Sequence, residues 1–195
     1  TLYLTVLALE FSPAVLERLG YTRAVEALHR AAIPVVILGV ILSTLHQSSM
    51  GTMFLIVPQK IHPLWSSTLL PVFFLVSSVA VGLCVTVVAS FYSARLFEKS
   101  LDRWLLADLA RAASMVLFLY TALRLVDVSA RNAWARFGDP AWLGGVFLLE
   151  VGGGALLPAD LLSRRAVRDR PRWTVTACLP VLAGVVLNRL TVSWL

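Results

Sequence analysis

The stretch Ser43-Thr44-Leu45-His46-Gln47-Ser48-Ser49-Met50-Gly51-Thr52-Met53 decides how this chain is read, because it interrupts residues 31–57, a segment otherwise apolar enough to cross a membrane. A hydrocarbon core of ~30 Å needs about 20 apolar residues of helix. Residues 31–57 supply them with no Asp, Glu, Lys or Arg after Arg30. In lipid, a histidine flanked by an amide and hydroxyls has to face protein, water or a ligand, since unpaired polar groups there are expensive.

Composition points the same way. The chain is 58% hydrophobic and 14% charged, with a mean hydropathy of +0.81, which is the membrane class and not the globular one. It starts at Thr1 and enters at once into the apolar run Leu2 to Leu9, with no basic n-region or small-residue cleavage site. A signal peptide is therefore not read here. The expectation is a chain that begins partway through a helix, as the C-terminal half of a longer subunit. The net charge of +6 comes largely from short connectors, which fits membrane topology better than nucleic-acid binding. Cys84 and Cys178 lie in apolar runs without metal-site spacing, and are expected to be inert and to face lipid or core.

The pattern predicts an all-α integral membrane protein, a single bundle over residues 1–195 with about six transmembrane helices, the first incomplete. That first span covers residues 1–12 and ends at Pro13, with Glu10 near its last turn. Residues 14–30 read as an interfacial amphipathic helix. Residues 31–57 form the second span, with Pro34 in its first turn, where a missing N–H is cheap. A turn over residues 58–65 leads to the third span, about 69–92. Pro63 and Trp65 mark its boundary, with Trp65 expected at headgroup depth. The fourth span is about 105–128, the fifth 141–162 and the sixth 173–195. Eleven Lys and Arg residues fall in the first, third and fifth connectors against three in the second and fourth. The positive-inside rule then puts the arginine-rich end, residues 164–172, in the cytoplasm, as a topogenic, lipid-facing loop. His46 and Glu150 come out near the midplane, with Arg124, Asp127 and Arg189 nearer the other face.

Three groups of residues carry candidate chemistry. Ser43, His46, Ser49, Met50 and Met53 share one helical stripe. Gln47 lies beside it, and Gly51 would let a helix or a flat ligand come close. The stripe reads either as a polar pocket, with His46 donating or accepting a proton, or as glue between helices. Haem ligation needs facing axial ligands, and His29 and His62 both fall at span edges, so haem is not expected. Tyr120, Arg124 and Asp127 share a face, which suggests an Arg124–Asp127 pair, either structural or ligand-binding. Glu150 has no basic residue within a helical turn, which suits either a proton relay or a hydrogen bond to a neighbouring helix. Gly152-Gly153-Gly154, ahead of Pro158, marks close packing or a break in the helix. No Walker loop, HExxH or GxSxG occurs.

With these residues laid out, the chain resembles the NrfD/polysulfide-reductase membrane-subunit family, in particular the quinone-reactive "b-type cytochrome" membrane subunit of periplasmic nickel–iron hydrogenases. The resemblance is carried by Leu45 to Thr52 with Ile61-His62-Pro63-Leu64-Trp65, by Leu117 to Arg124, by Glu150 with Leu156-Leu157-Pro158, and by Val186 to Ser193. It implies a haem-free, quinone-binding subunit in the bacterial inner (cytoplasmic) membrane. Such a subunit passes electrons between the quinone pool and a periplasmic iron–sulfur, ferredoxin-like partner on a catalytic subunit such as nickel–iron hydrogenase, and couples this to proton movement. On this reading His46, Gln47, Ser49, Arg124 and Asp127 contact quinone, and Glu150 and Asp160 relay protons, with no metal site. The rival reading is a transporter or proton channel without a redox partner, for which a break near Gly152 and Pro158 would also suit.

Overall fold

The computed structural model describes residues 2–18, 22–56, 61–98 and 100–194. Regular structure among them is helical: α1 (Leu2–Arg18), α2 (Thr22–Met53), α3 (Leu70–Leu96), α4 (Arg103–Ala130), α5 (Ala141–Leu148), α6 (Leu157–Ser163), α7 (Arg165–Arg168) and α8 (Pro171–Trp194). A π-helical segment, Leu149–Leu156, joins α5 to α6. Five stretches are long and apolar enough to cross a membrane: Arg30–Met53, Leu70–Leu96, Arg103–Ala130, Ala141–Ser163 and Pro171–Trp194. They coincide with the second to sixth predicted spans.

The N-terminal reading needs correction. α1 does not stop at Pro13 but runs on to Arg18. Proline cannot supply the N–H that the Leu9 carbonyl would take in a regular helix. The Ser12 hydroxyl donates to that carbonyl instead, at 2.7 Å, so the helix crosses the proline with the carbonyl satisfied. The interfacial helix predicted over residues 14–30 is also not a separate element, since its later part forms the first turns of α2.

The chain divides into two compact units, Thr1–Ser49 and Met50–Leu195. In the first, α1 and most of α2 present apolar side chains outward, among them Ile33, Ile37, Val40 and Ile41. That surface suits a hydrocarbon environment.

The second unit is a bundle in which α3 packs on α4 and α8, and the Ala141–Ser163 span packs on α4 and α8. Its core is rich in small residues, with Ala80, Cys84, Ala110, Ala113, Ala155, Ala159, Ala177 and Cys178 all buried. Helices in lipid have little hydrophobic reason to associate, so close van der Waals packing between small side chains has to hold them. Both cysteines are free and face this core. α4 begins at Asp102, whose carboxylate accepts from the N–H groups of Trp104 and Leu105 at 3.1 and 3.2 Å, which satisfies two of the helix's unpaired donors.

The glycine run gives the close packing foreseen for it, while the helix widens where a break was the alternative. Pro158 offers no N–H to the carbonyl of Gly154 and its ring crowds that carbonyl. The Leu157 N–H reaches back to Gly152 O, a five-residue step that widens the helix into a π turn. The widened segment presses on α8. A Cβ at Gly184 would lie 2.5 Å from Gly154 Cα, and one at Gly154 would lie 2.7 Å from Gly184 Cα. Gly51 plays a similar part, for a Cβ there would meet Pro71 Cα at 2.6 Å, which lets the end of α2 meet the start of α3.

Gly184→Leu is expected to lower the thermal midpoint of the detergent-solubilised protein by about 2–12 °C, the equivalent of roughly 1–3 kcal/mol of overpacking. Gly82→Leu serves as the control, since nothing lies within 4 Å of a Cβ built at Gly82. It should leave the midpoint unchanged or slightly raised.

Candidate functional site

The site is organised by the turn at residues 61–69. The N–H groups of Trp65 and Ser66 both donate to His62 O, at 2.8 and 3.0 Å. Arg131, just past the end of α4, donates to Pro63 O at 2.8 Å and to Ser66 O. Its Nε and Nη2 donate to Asp127 Oδ2 at 3.1 and 2.5 Å. Asp127 Oδ1 accepts from Ser67 Oγ at 2.7 Å. The predicted Arg124–Asp127 pair is therefore not formed. Arg131 wins because, one turn further along, it can bind the carboxylate and the turn's carbonyls at once, and Arg124 points into the bundle instead.

Tied down in this way, the turn drives Trp65 inward to 1% exposure. It is not the headgroup anchor that its place beside a span suggested. Its ring meets Phe147 edge-on at 5.8 Å, and its indole N–H donates to Glu150 Oε2 at 2.8 Å. Glu150 is itself 3% exposed. Its other oxygen, Oε1, accepts from Asn188 Nδ2 at 2.5 Å. Each carboxylate oxygen thus has one donor, from α8 on one side and from the turn on the other.

Two guanidinium groups act on this carboxyl through the low-dielectric interior, those of Arg124 and Arg189. Arg189 Nη1 donates to Asn188 Oδ1 at 3.3 Å, and its Nη2 donates to Phe74 O and Ser77 Oγ at 3.1 and 3.0 Å. Its charge lies 3.4 Å from the centroid of the Phe74 ring. Arg124, 1% exposed, lies between Phe73 and Phe147, 5.0 and 5.7 Å from their centroids. Its Nε and Nη2 have no hydrogen-bond partner among the described residues, and the ring faces supply part of the compensation. Beside Glu150 is a small cavity lined also by Ser77, Tyr120, Gly154, Gly184 and Asn188. It has about 10 Å³ of space for the centre of a water-sized sphere, the room one water needs and far less than a quinone ring needs.

The donors around this carboxyl limit where a proton on it could point. Tryptophan can only donate, and Asn188 presents its NH₂ to Glu150 while its carbonyl is turned to Arg189. A proton arriving on Oε1 would face the amide NH₂. It would either turn into the neighbouring cavity or require the amide to turn over and give up the Arg189 contact. The neighbouring cavity is where a water could bring or remove that proton.

Of the residues singled out from the sequence, Glu150, Arg124 and Asp127 belong to the same unit. Arg124 and Glu150 are joined through Phe147 and Trp65, and Asp127 acts through Ser67 and Arg131. His46, Gln47 and Ser49 lie on α2 in the other unit, with His46 and Ser49 exposed and Gln47 half-buried. Asp160 is paired with Arg164 at 2.6 Å, and both side chains are at least half exposed. Ten residues, roughly 15 Å of helix, separate it from Glu150. Sequence reading missed Trp65 and Asn188 as partners of Glu150, and missed Arg131. An amide inside an apolar span, next to Arg189, was the available signal for Asn188.

Haem has little to bind to in the second unit, whose single histidine is His62. Both of its ring nitrogens are engaged, Nε2 with Asp139 O at 3.1 Å and Nδ1 with the Leu64 N–H at 3.3 Å.

The sequence matches the family model described as Polysulphide reductase, NrfD over residues 1–193. It is 36% identical over 199 aligned residues to a protein of Nitratidesulfovibrio vulgaris (strain Hildenborough), covering 97% of this chain and 50% of that one. It is 31% identical over 196 residues to the Probable Ni/Fe-hydrogenase 2 b-type cytochrome subunit of Escherichia coli (strain K12), covering 99% of this chain and 50% of that one. The chain spans about half the length of these curated relatives. No solved structure gives a significant match. A family match over nearly the whole length, joined to five apolar helices of spanning length, leads to one conclusion: the chain belongs to the NrfD family and is a multi-pass membrane protein.

Proposed function

We propose that the chain is part of a quinone-reactive membrane subunit of a respiratory oxidoreductase of hydrogenase type, and that Glu150 handles protons for the quinone reaction. The observation that carries this reading is the Glu150 carboxyl itself. It is buried, held by two neutral donors among the described residues, and next to a water-sized cavity. A group kept only for packing would be better replaced by an apolar side chain, whereas intramembrane carboxyls recur in proton paths. The hydrogenase assignment leans on the name of the Escherichia coli relative and on the resemblance in the sequence blocks. From these come an iron–sulfur partner, a catalytic subunit such as nickel–iron hydrogenase, and the bacterial cytoplasmic membrane.

Quinone reduction consumes two electrons and two protons, the electrons coming from redox centres in partner subunits. His46, with Gln47 and Ser49, offers donors to a quinone carbonyl from α2. Glu150 takes up and releases protons inside the second unit, and Asp160 is a further carboxyl at its arginine-rich end. Arg124 supplies positive charge beside Glu150. Asp127 shapes the 61–69 end of the bundle through Ser67 and Arg131. The π segment and cavity also favour a second reading, proton conduction without a redox partner. Purification of the native complex separates the two, because a tightly held iron–sulfur subunit belongs only to the first.

Three substitutions in the full-length subunit test the reading through quinone-coupled turnover in membranes. Glu150→Gln should lower turnover by about a hundredfold or more, the lower end for losing a proton-transfer group, with normal assembly. Unchanged turnover would remove Glu150 from the mechanism. Trp65→Phe and Asn188→Leu should each have a smaller effect, and together approach the Glu150→Gln level, because each removes one donor from the same carboxyl. His46→Ala should raise the KM for quinone by about tenfold, the scale of one or two lost hydrogen bonds, with a smaller change in kcat. An unaltered KM would rule out quinone contact by His46.

A further inference from the structure

We propose that His62 is a positioning residue for Glu150, acting through Trp65 and only in its neutral form. The inference rests on the proton-handling reading of Glu150 for its functional consequence, but not for its geometry.

The tautomer of His62 is dictated by its neighbours. Nδ1 lies 3.3 Å from the Leu64 backbone nitrogen, which can only donate, so Nδ1 must accept. Nε2 lies 3.1 Å from the Asp139 carbonyl, which can only accept, so Nε2 must carry the proton. Only the neutral ring satisfies both. The same residue anchors Trp65 in two further ways. Its carbonyl accepts from the Trp65 N–H at 2.8 Å, and its ring meets the indole edge-on at 5.8 Å. His62 itself is half-buried, whereas Leu64 and Trp65 are wholly buried. A proton reaching the end of the bundle can therefore act on a residue that reaches Glu150.

A second proton on the ring would turn Nδ1 into a donor facing the Leu64 N–H. Two donors repel, and that corner of the turn has to open. The charged residues that bond to this turn are Asp127 and Arg131 at the end of α4, Asp139 in the connector after it, and Glu150 behind Trp65. Arg131 already grips the carbonyls of Pro63 and Ser66, so the turn as a whole stays attached while the 62–65 corner loosens. Trp65 then withdraws one of the two donors from Glu150. With the ring neutral the donor set is complete, and with a second proton on the ring the set is reduced.

The test uses the full-length subunit in its native complex, assayed in membranes from about pH 5 to pH 8, the range in which histidine charges. In the wild type, turnover should fall on the acid side by about tenfold, the scale of one hydrogen bond to a buried charged group. His62→Asn keeps an acceptor two residues before the Leu64 N–H and does not titrate. Its turnover should be lower at neutral pH but flat on the acid side. His62→Ala should be low throughout, like Trp65→Phe. An acid limb identical in wild type and His62→Asn would overturn the proposal. A second readout is independent of turnover: the near-ultraviolet circular dichroism of Trp65, taken as the difference between wild type and Trp65→Phe. It should be lost at low pH in the wild type and retained in His62→Asn, and a wild-type band indifferent to pH would overturn the proposal. If that band responds while Glu150→Gln leaves turnover intact, the positioning stands and the proton-handling reading of Glu150 falls.

Discussion

Everything around the site follows from the need to keep one carboxyl hydrogen-bonded where water is scarce. An unpaired polar group in the interior of a membrane bundle is costly, and Glu150 has no partner on its own helix. Its two donors come from residues 85 and 38 positions away in sequence, so the carboxyl requires that the turn after α2 and the middle of α8 arrive at the same place. The Arg131–Asp127–Ser67 network fixes the turn. The Gly154–Gly184 contact brings α8 close enough for Asn188 to reach. Removing either support would leave the carboxyl with fewer donors than the interior demands.

The same constraint governs the backbone. Pro13 and Pro158 each deprive a carbonyl of its usual donor, and the chain answers differently in the two places. At Leu9 a neighbouring hydroxyl steps in and the helix stays regular. At Gly154 the helix changes its step, because the glycines at 152–154 permit a wide turn and bring the segment against α8. The second solution places Glu150 in the first turn of the irregular segment. Irregular backbone is tolerated at membrane depth where protein surrounds it, and Gly154 is buried against Gly184.

Much of the architecture was legible in the sequence, because the length and apolarity of a spanning helix are set by the bilayer and do not depend on tertiary partners. The N-terminal boundaries were not. Pro13 reads as a stop unless the rescue by Ser12 is anticipated. The site was legible one residue at a time. Glu150 and Arg124 stood out as charges within spans, and Gly152 to Gly154 as a point of close packing. Their partners did not stand out. Trp65 sits where tryptophan usually marks the membrane interface, and only the fixing of its turn by Arg131 shows that it points inward. The spacing of Arg124 and Asp127 allows a pair, yet Arg131 is also within reach of Asp127 and binds two carbonyls besides. Local spacing lists the possible pairs, and the competition between them is settled by contacts far away in sequence.

The balance of charge around Glu150 indicates which helix has to respond when its protonation changes. Arg124 is held by ring faces and its Nε and Nη2 bond to nothing among the described residues, so a change at Glu150 breaks no described hydrogen bond of those groups. Arg189 is bound to Phe74 O, to Ser77 and to Asn188, whose amide in turn holds Glu150. Any turn of that amide is felt by Arg189, and through it by α3. The Glu150 donor set is thus coupled through Asn188 and Arg189 to Phe74 and Ser77 of α3, which shares the lining of the cavity with Tyr120 of α4. A single rotating amide would join the proton site to the packing of the bundle.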